Sequence, residues 1–152
     1  MLNCVYKVTF SKSTFELNEE YDRLSDYEKE KISDLEVDGF FDTDNDKEGY
    51  TCYIVTDEIQ MRGYLSVLRN NLIQFTCDNL SQDIIKNRIN LERELLPDTT
   101  TMNSVKYKMF INNLNDWILQ NLDMDTVLDR ISESGIDSLT NIEKIFLNNF
   151  NK

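Results

Sequence analysis

The chain has 152 residues, of which 28 are acidic, 16 are basic and none is histidine, so its formal net charge is −12. This length suits a single domain with a buried core, and a hydrophobic content of 40% argues against a disordered chain. The lack of histidine excludes Ser-His-Asp and Cys-His hydrolases and every zinc or haem site with a histidine ligand. We therefore expect a protein that is not an enzyme and that holds no cofactor or metal.

The first elements of the chain change from strand to helix periodicity. Apolar residues at every second position from Leu2 to Phe10 predict a strand. Helical spacing from Leu17 to Leu35 then predicts one amphipathic helix, or two short helices broken near Ser25. The outer side of this helical segment carries six carboxylates, namely Glu19, Glu20, Asp22, Asp26, Glu30 and Asp34.

The next elements complete a pattern of strands and helices up to residue 80. A short strand is predicted at residues 36–42, a turn at 43–49 and a strong strand at 50–56. Asp57 has the position of an N-cap, and Gln60 follows at the spacing of a capping box. A helix ending at the Asn70-Asn71 pair and a strand at residues 72–77 follow.

This order is the βαββαβ order of ferredoxin-like folds. It predicts a four-stranded antiparallel sheet with two helices on one face, because right-handed crossovers place both helices on the same side. We expect a ferredoxin-like half at residues 1–80 and a helical half at residues 81–152. The two halves are expected to share one core in a single α+β domain.

The helical half is predicted to contain about four helices. The first starts at Ser81 or Asp83 and ends at Pro97, which opens a loop at residues 97–101. The second covers residues 105–122, where Tyr107 and Trp117 lie on an apolar stripe typical of core packing.

The last two helices are predicted to form a hairpin. Asp123 or Asp125 caps the first of them, and Gly135 fits the C′ position of a Schellman motif in which Ile136 would contact Ile131. Thr140 and Glu143 have capping-box spacing. The last helix is expected to turn four apolar side chains inward, those of Ile142, Ile145, Phe146 and Phe150.

Residues 127–147 read VLDRISESGIDSLTNIEKIFL. This segment resembles a short C-terminal tail of some Bacteroidetes proteins, including rhomboid-like membrane proteins. The shared features are the Leu-Asp-x-Ile helix, the Gly-Ile-x-Ser-Leu-Thr turn and the Glu-Lys-x-Phe-Leu helix. The resemblance implies a bacterial lineage and a helical hairpin, and it implies no activity.

The acid of this chain is concentrated in one segment. Residues 16–48 contain 14 acidic and 4 basic residues, a net charge of −10, whereas the other 119 residues contain 14 acidic and 12 basic ones, a net charge of −2. The run Asp42, Asp44 and Asp46 suggests a calcium loop. An EF-hand loop counted from Asp42 would need glycine and glutamate where Lys47 and Tyr53 stand, so we predict a solvated turn without metal.

We expect this acid, with the adjacent Phe40 and Phe41, to bind a basic protein surface, as an immunity protein, inhibitor or adaptor does. Direct nucleic-acid binding is disfavoured because phosphates require basic side chains, whereas mimicry of a nucleic acid stays an alternative. A second alternative is a small-molecule sensor with an apolar pocket between the sheet and the C-terminal helices. A third is an enzyme that uses carboxylates or a cysteine.

The cellular location follows from weaker signals. Three cysteines, an odd number, are most consistent with a reducing cytoplasm, where they would act as small buried hydrophobes. No stretch of the chain has the 18 consecutive apolar residues of a membrane-spanning helix, and the first ten residues lack the pattern of a signal peptide. We expect a cytoplasmic protein that does not insert into membranes.

Overall fold

The computed structural model describes residues 3–12, 14–35, 40–45, 49–95 and 104–150. This part of the chain contains four strands and eight α-helices, so the α+β class is confirmed. Their order is β1 (Asn3–Phe10), α1 (Thr14–Asp22), α2 (Asp26–Leu35), β2 (Phe40–Asn45), β3 (Gly49–Asp57), α3 (Glu58–Asn70), β4 (Phe75–Asn79), α4 (Ser81–Ile85), α5 (Leu91–Leu95), α6 (Ser104–Asn121), α7 (Met124–Ser134) and α8 (Asn141–Phe150). Three predicted features lie outside the described residues, namely the loop at residues 97–101, the first part of the predicted second strand at residues 36–39, and Asp46. The side chains of residues 40–45 are likewise not described.

The strands form an antiparallel sheet in the order β2-β3-β1-β4. The register is illustrated by Val8 on β1, which pairs with Cys52 on β3 and with Cys77 on β4. Side chains are described for three of these strands, β1, β3 and β4. The finer assignment to the ferredoxin-like class stays a prediction at this point.

Each face of the sheet is covered by an apolar cluster. Tyr6, Val8 and Ile54 share one face and pack with residues of α2 and α3. Val5 and Tyr53 lie on the other face and pack with the helices of the C-terminal half. Alternate residues of a strand point to opposite faces, so β1 contributes to both clusters. The sequence analysis recognised only the first of its apolar faces.

The C-terminal helices are attached to the N-terminal end of β1 by hydrogen bonds as well as by packing. The indole nitrogen of Trp117 donates to the carbonyl oxygen of Asn3 at 2.8 Å. The backbone N–H of Val5 donates to the Ser81 hydroxyl at 2.9 Å. Trp117 and Tyr107 are both buried, which confirms their predicted place in the core.

The hairpin of α7 and α8 is held by its helix caps and by a buried ion pair. Asp123, one of the two predicted caps, accepts from the N–H of Thr126 at 2.7 Å. The predicted capping box is confirmed, because Thr140 N–H donates to Glu143 Oε1 at 2.9 Å and Glu143 N–H donates to the Thr140 hydroxyl at 3.2 Å. Glu143 Oε2 lies 3.0 Å from Nε of Arg130, as an ion pair without linear hydrogen-bond geometry.

Several predicted boundaries were wrong. The second strand, predicted at residues 36–42, extends to Asn45, so Asp44 belongs to a strand and not to the predicted turn. The fourth strand starts at Phe75, because Leu72 has a φ of 58° and is 88% exposed. That left-handed conformation cannot continue a strand.

The helical half differs from its prediction in two further places. The helix expected from Ser81 to Pro97 is broken into α4 and α5, and Asn87 between them has a φ of 56°. Gly135 has the expected positive φ, 84°, and its N–H donates to the Ile131 carbonyl. A Schellman motif has two hydrogen bonds, so this single bond makes a simpler helix cap. Ile136, which was predicted to contact Ile131, is exposed.

The last helix turns fewer apolar side chains inward than predicted. Ile142 and Phe146 pack against the C-terminal cluster as expected. Ile145 and Phe150 are exposed. Glu143 takes an inward position on this helix instead, because the capping box and Arg130 satisfy its carboxylate.

Candidate functional site

The acidic segment folds as two helices, which is one of the two alternatives that its sequence allowed. The break between α1 and α2 is made by Ser25 and Glu28, which form a capping box. Glu28 N–H donates to the Ser25 hydroxyl at 3.2 Å, and Ser25 N–H donates to Glu28 Oε1 at 3.1 Å. The Ser-x-x-Glu pattern marks the start of a helix in a sequence, but it was not among the capping boxes predicted above.

Glu28 also fixes α2 against the neighbouring helix. Its second oxygen accepts from the side-chain amide of Asn71, at the C-terminal end of α3, at 2.7 Å. The hydrogen bonds from Ser25 and then from Asn71 lower the pKa of Glu28 below its usual value. Leu35 and Ile32 pack on the sheet, so this helix has a defined orientation with its other side in solvent.

Five of the six predicted carboxylates on α1 and α2 are exposed and have no ion pair with another described residue. We call this set the acidic face; it consists of Glu19, Asp22, Asp26, Glu30 and Asp34. The last three are spaced at i, i+4 and i+8 and therefore form one row along α2.

Glu20 does not belong to this face. Its carboxylate is paired with the ammonium group of Lys12, and one of its oxygens is buried. Helical periodicity grouped Glu20 with the other acidic residues. It could not indicate the ion pair, because Lys12 lies before the helix and is not part of the helical pattern. Glu20 therefore holds α1 to the end of β1 and is not available as a partner-binding group.

The basic residues near the acidic face do not form ion pairs with it among the described residues. The ammonium group of Lys29 lies 5.5 Å from the ring centroid of Tyr21, and that of Lys31 lies 4.7 Å from the ring centroid of Tyr27. These are cation–π distances. Residues 14–35 contain eight acidic and three basic residues, so this surface keeps an excess of negative charge.

The acid at the end of each helix is unfavourable for helix stability. Asp22 and Asp34 lie in the last turns of α1 and α2, and neither turn contains a basic residue. A carboxylate there faces the negative end of the helix dipole. Like charges at i, i+4 along α2 add further repulsion. Stability of the helices therefore does not account for the arrangement of these carboxylates.

The other predicted partner-binding residues lie on β2 or outside the described residues. The backbone of Phe40 pairs with Ile54, that of Phe41 pairs with Tyr53, and that of Asp42 pairs with Cys52. Asp44 pairs with Tyr50 in the same register. Strand β2 is at one edge of the sheet, next to β3. These residues therefore belong to a different element from the residues of the acidic face.

Two findings on the described residues concern metal and thiol chemistry. No group of three or more cysteine, aspartate and glutamate side chains there is arranged to hold a metal ion. Burial raises the pKa of the Cys77 thiol, which lowers its thiolate fraction at neutral pH and so its reactivity. No helix in the described ranges combines the length and hydropathy that a bilayer crossing requires.

The comparisons with known proteins add no family to this description. No family model, curated protein or solved structure matches the chain. The resemblance of residues 127–147 to a Bacteroidetes C-terminal tail is therefore neither supported nor contradicted by them.

Proposed function

We propose that this protein is a non-catalytic interaction module that binds a basic protein surface through α1 and α2. The observation that carries the proposal is the acidic face, five exposed carboxylates without ion pairs among the described residues. Such a surface attracts a partner of opposite charge and increases the rate of productive encounter. An immunity protein, an inhibitor and an adaptor all act through this kind of surface.

The proposal explains why the charge is tolerated. The end-of-helix carboxylates Asp22 and Asp34 and the like-charged row on α2 each cost the free protein a few tenths of a kcal/mol. A basic partner would relieve this repulsion on binding. Adjacent residues of a strand point to opposite faces, so one of Phe40 and Phe41 on β2 would supply the apolar anchor that charge alone does not provide.

Two finer statements belong to the same proposal. We assign the sheet and its crossovers to the ferredoxin-like class, and the strand order β2-β3-β1-β4 with antiparallel pairing throughout supports this assignment.

We place the protein in a bacterial cytoplasm, supported by its odd cysteine number. A partner with exposed basic side chains is favoured over nucleic acid, since phosphate groups would be repelled by the acidic face.

The small-molecule alternative was tied to an apolar pocket between the sheet and the C-terminal helices. Buried side chains occupy this space in the described structure, among them Tyr53, Phe110 and Trp117. A cavity at its border is lined in large part by polar residues, including Asn113 and Asp116. We therefore favour the interaction module.

The chain contains a matched control for the acidic face. Helix α7 carries Asp125, Asp129 and Glu133, which are exposed and have the same i, i+4, i+8 spacing as the row on α2. Reversal of either row to lysine changes the net charge of the protein by the same amount. Only the position of the change differs.

The test is quantitative capture of proteins from the source cells at low ionic strength. We expect at least one basic protein to be retained by the wild type and by the Asp125→Lys/Asp129→Lys/Glu133→Lys variant, and to be lost with Asp26→Lys/Glu30→Lys/Asp34→Lys. Circular dichroism verifies that both variants are folded. Equal retention, or equal loss, of every captured protein by the two variants would refute the acidic face as the binding surface.

A further inference from the structure

A cavity of about 140 Å³ lies beneath the two acidic helices. Its outer wall is formed by α1 and α2, through residues such as Leu17 and Ile32, and its inner wall by the sheet and α3, through residues such as Phe10 and Tyr64. The cavity is partly open to solvent, so a small ligand can reach it from the surface. Its volume is large enough for a group bigger than one water molecule.

Apolar surface predominates over polar surface among the described residues that line the cavity. The polar groups among them belong to Asn18, Cys52 and three tyrosines, and none of these lining residues is aspartate, glutamate, lysine or arginine. Such a lining favours a guest that is mainly apolar. Engineered apolar cavities of about 150 Å³ bind benzene, which sets the size of a suitable guest.

Aromatic rings form a large part of the lining. Phe10, Tyr21, Tyr50 and Tyr64 all border the cavity. The rings of Phe10 and Tyr50 lie 5.7 Å apart at an interplanar angle of 36°. An aromatic lining favours an aromatic guest, because tilted and offset pairs of rings are favourable.

We infer that this cavity is a binding site for a small, uncharged, monocyclic aromatic compound. A charged guest would lose its hydration without an opposite charge in the lining to replace it. An anionic guest would also be repelled by the carboxylates of α1 and α2, the helices that form the outer wall. This inference does not rest on the proposed interaction with a basic protein, and each can fail alone.

Titration with toluene, followed by protein NMR, tests the inference. We expect saturable shift changes at millimolar toluene, and intermolecular nuclear Overhauser effects to the side chains of Tyr64 and Leu68. Benzoate has the same ring with a carboxylate, so we expect no saturable shifts with it. The melting temperature should rise with toluene concentration, as it does for any ligand that binds only the folded state.

A matched pair of substitutions locates the site. Ile32→Phe adds volume inside the cavity, whereas Ile59→Phe adds the same volume at a position on α3 that is 63% exposed. We expect Ile32→Phe to weaken toluene binding at least tenfold and Ile59→Phe to leave it within twofold. Should Ile32→Phe fail to fold, the Overhauser contacts of the wild type decide the question.

Three results would overturn the inference. The first is the absence of saturable shifts with toluene in the wild type. The second is a set of Overhauser contacts to exposed apolar residues elsewhere, such as Leu128 or Phe150, in place of Tyr64 and Leu68. The third is equal toluene affinity in the two phenylalanine variants when both are folded.

Discussion

Tyr6 shows how burial sets the chemistry of single residues in this protein. Only 8% of its surface is exposed. Desolvation by burial and, to a smaller extent, the electrostatic effect of its neighbour Cys4 raise the pKa of its hydroxyl from 10.0 to about 12. The folded state therefore holds this proton more tightly than the unfolded state does. The resulting contribution to stability is complete below pH 10 and is lost as the pH rises from 10 to 12.

Tyr6→Phe is expected to make the protein less sensitive to alkaline pH. A pKa difference of this size corresponds to up to about 3 kcal/mol of unfolding free energy, of which about half is lost by pH 11, since one pKa unit is worth about 1.4 kcal/mol. Urea unfolding at pH 9 and pH 11 measures the loss. Tyr27→Phe, at a position 66% exposed, is the control and should lose as much stability as the wild type. Equal losses in all three proteins would contradict the assignment.

At the scale of elements, helix α2 has a favourable charge at one end and an unfavourable charge at the other. Asp26 lies in its first turn, where the helix dipole is positive, and Asp34 lies in its last turn, where it is negative. Both side chains are exposed, and asparagine has a helix propensity close to that of aspartate. The two positions therefore isolate the effect of the dipole.

Asp26→Asn is expected to lower the free energy of unfolding by about 0.3–1 kcal/mol, and Asp34→Asn to raise it by a similar amount. Urea denaturation at low ionic strength measures both changes. Added salt should reduce each difference, because both groups are exposed. Changes of the same sign in the two variants would show that the dipole does not govern these positions.

The hairpin of α7 and α8 depends on the buried ion pair between Arg130 and Glu143. Arg130 also donates to the Ser138 carbonyl at 3.0 Å. We assign the side-chain amide of Asn87 with its oxygen toward Arg130, and in this orientation it accepts from both terminal nitrogens of the arginine, at 3.0 and 2.6 Å. One arginine thus joins the hairpin to the turn between α4 and α5. Glu143 is 3% exposed, so its charge is strongly desolvated.

Glu143→Gln is expected to destabilise the protein by about 3 kcal/mol, because it keeps the capping acceptor but leaves the charge of Arg130 buried without its partner. Thr140→Ala removes only the cap and should cost about 1 kcal/mol. Chemical denaturation compares the two variants. A loss no greater for Glu143→Gln than for Thr140→Ala would show that the ion pair contributes little.

The sequence predicted most elements and missed several of their boundaries, for physical reasons that differ from place to place. The capping boxes and N-caps were readable at Asp57 and Thr140 because a few local hydrogen bonds define them. The break at Asn87 and the late start of β4 after Leu72 depend on positive φ values at non-glycine residues, which composition does not reveal. At Asp57 the Gln60 side chain accepts from the Thr56 hydroxyl, so a capping spacing does not guarantee a reciprocal box.

The candidate site was predictable to a similar degree. The row of Asp26, Glu30 and Asp34 followed from helical periodicity and is exposed as expected. The pairing of Glu20 with Lys12 was missed, because it joins a helix to the end of a strand. Burial of Val5 on the second face of β1 was also missed, since it depends on the C-terminal helices.

At the scale of the whole molecule, the sheet separates the C-terminal helices on one face from α1, α2 and α3 on the other. The C-terminal helices cover one face with a dense apolar cluster, anchored by Trp117 to the start of β1. Helices α1, α2 and α3 cover the other face, and the first two carry the acidic face on their outer side. Glu28 and Asn71 fix α2, and Glu20 and Lys12 fix α1. Because both helices of the acidic face are held in this way, a partner would bind it with little loss of backbone entropy.

The central claim is that the position of this charge, and not the total charge of the protein, determines binding. The most direct measurement is the association rate constant with a captured basic partner, as a function of ionic strength, for the wild type and the two triple lysine variants. Electrostatic steering typically increases association rates by about 10- to 1,000-fold and weakens steeply with salt.

We predict that Asp26→Lys/Glu30→Lys/Asp34→Lys slows association at least tenfold at low salt and removes most of the salt dependence. The α7 variant, with the same net charge, should stay within about threefold of the wild type, since a charge change away from the contact acts only through the screened overall field. Equal rate constants for the two variants would contradict the account, because total charge alone would then explain the association.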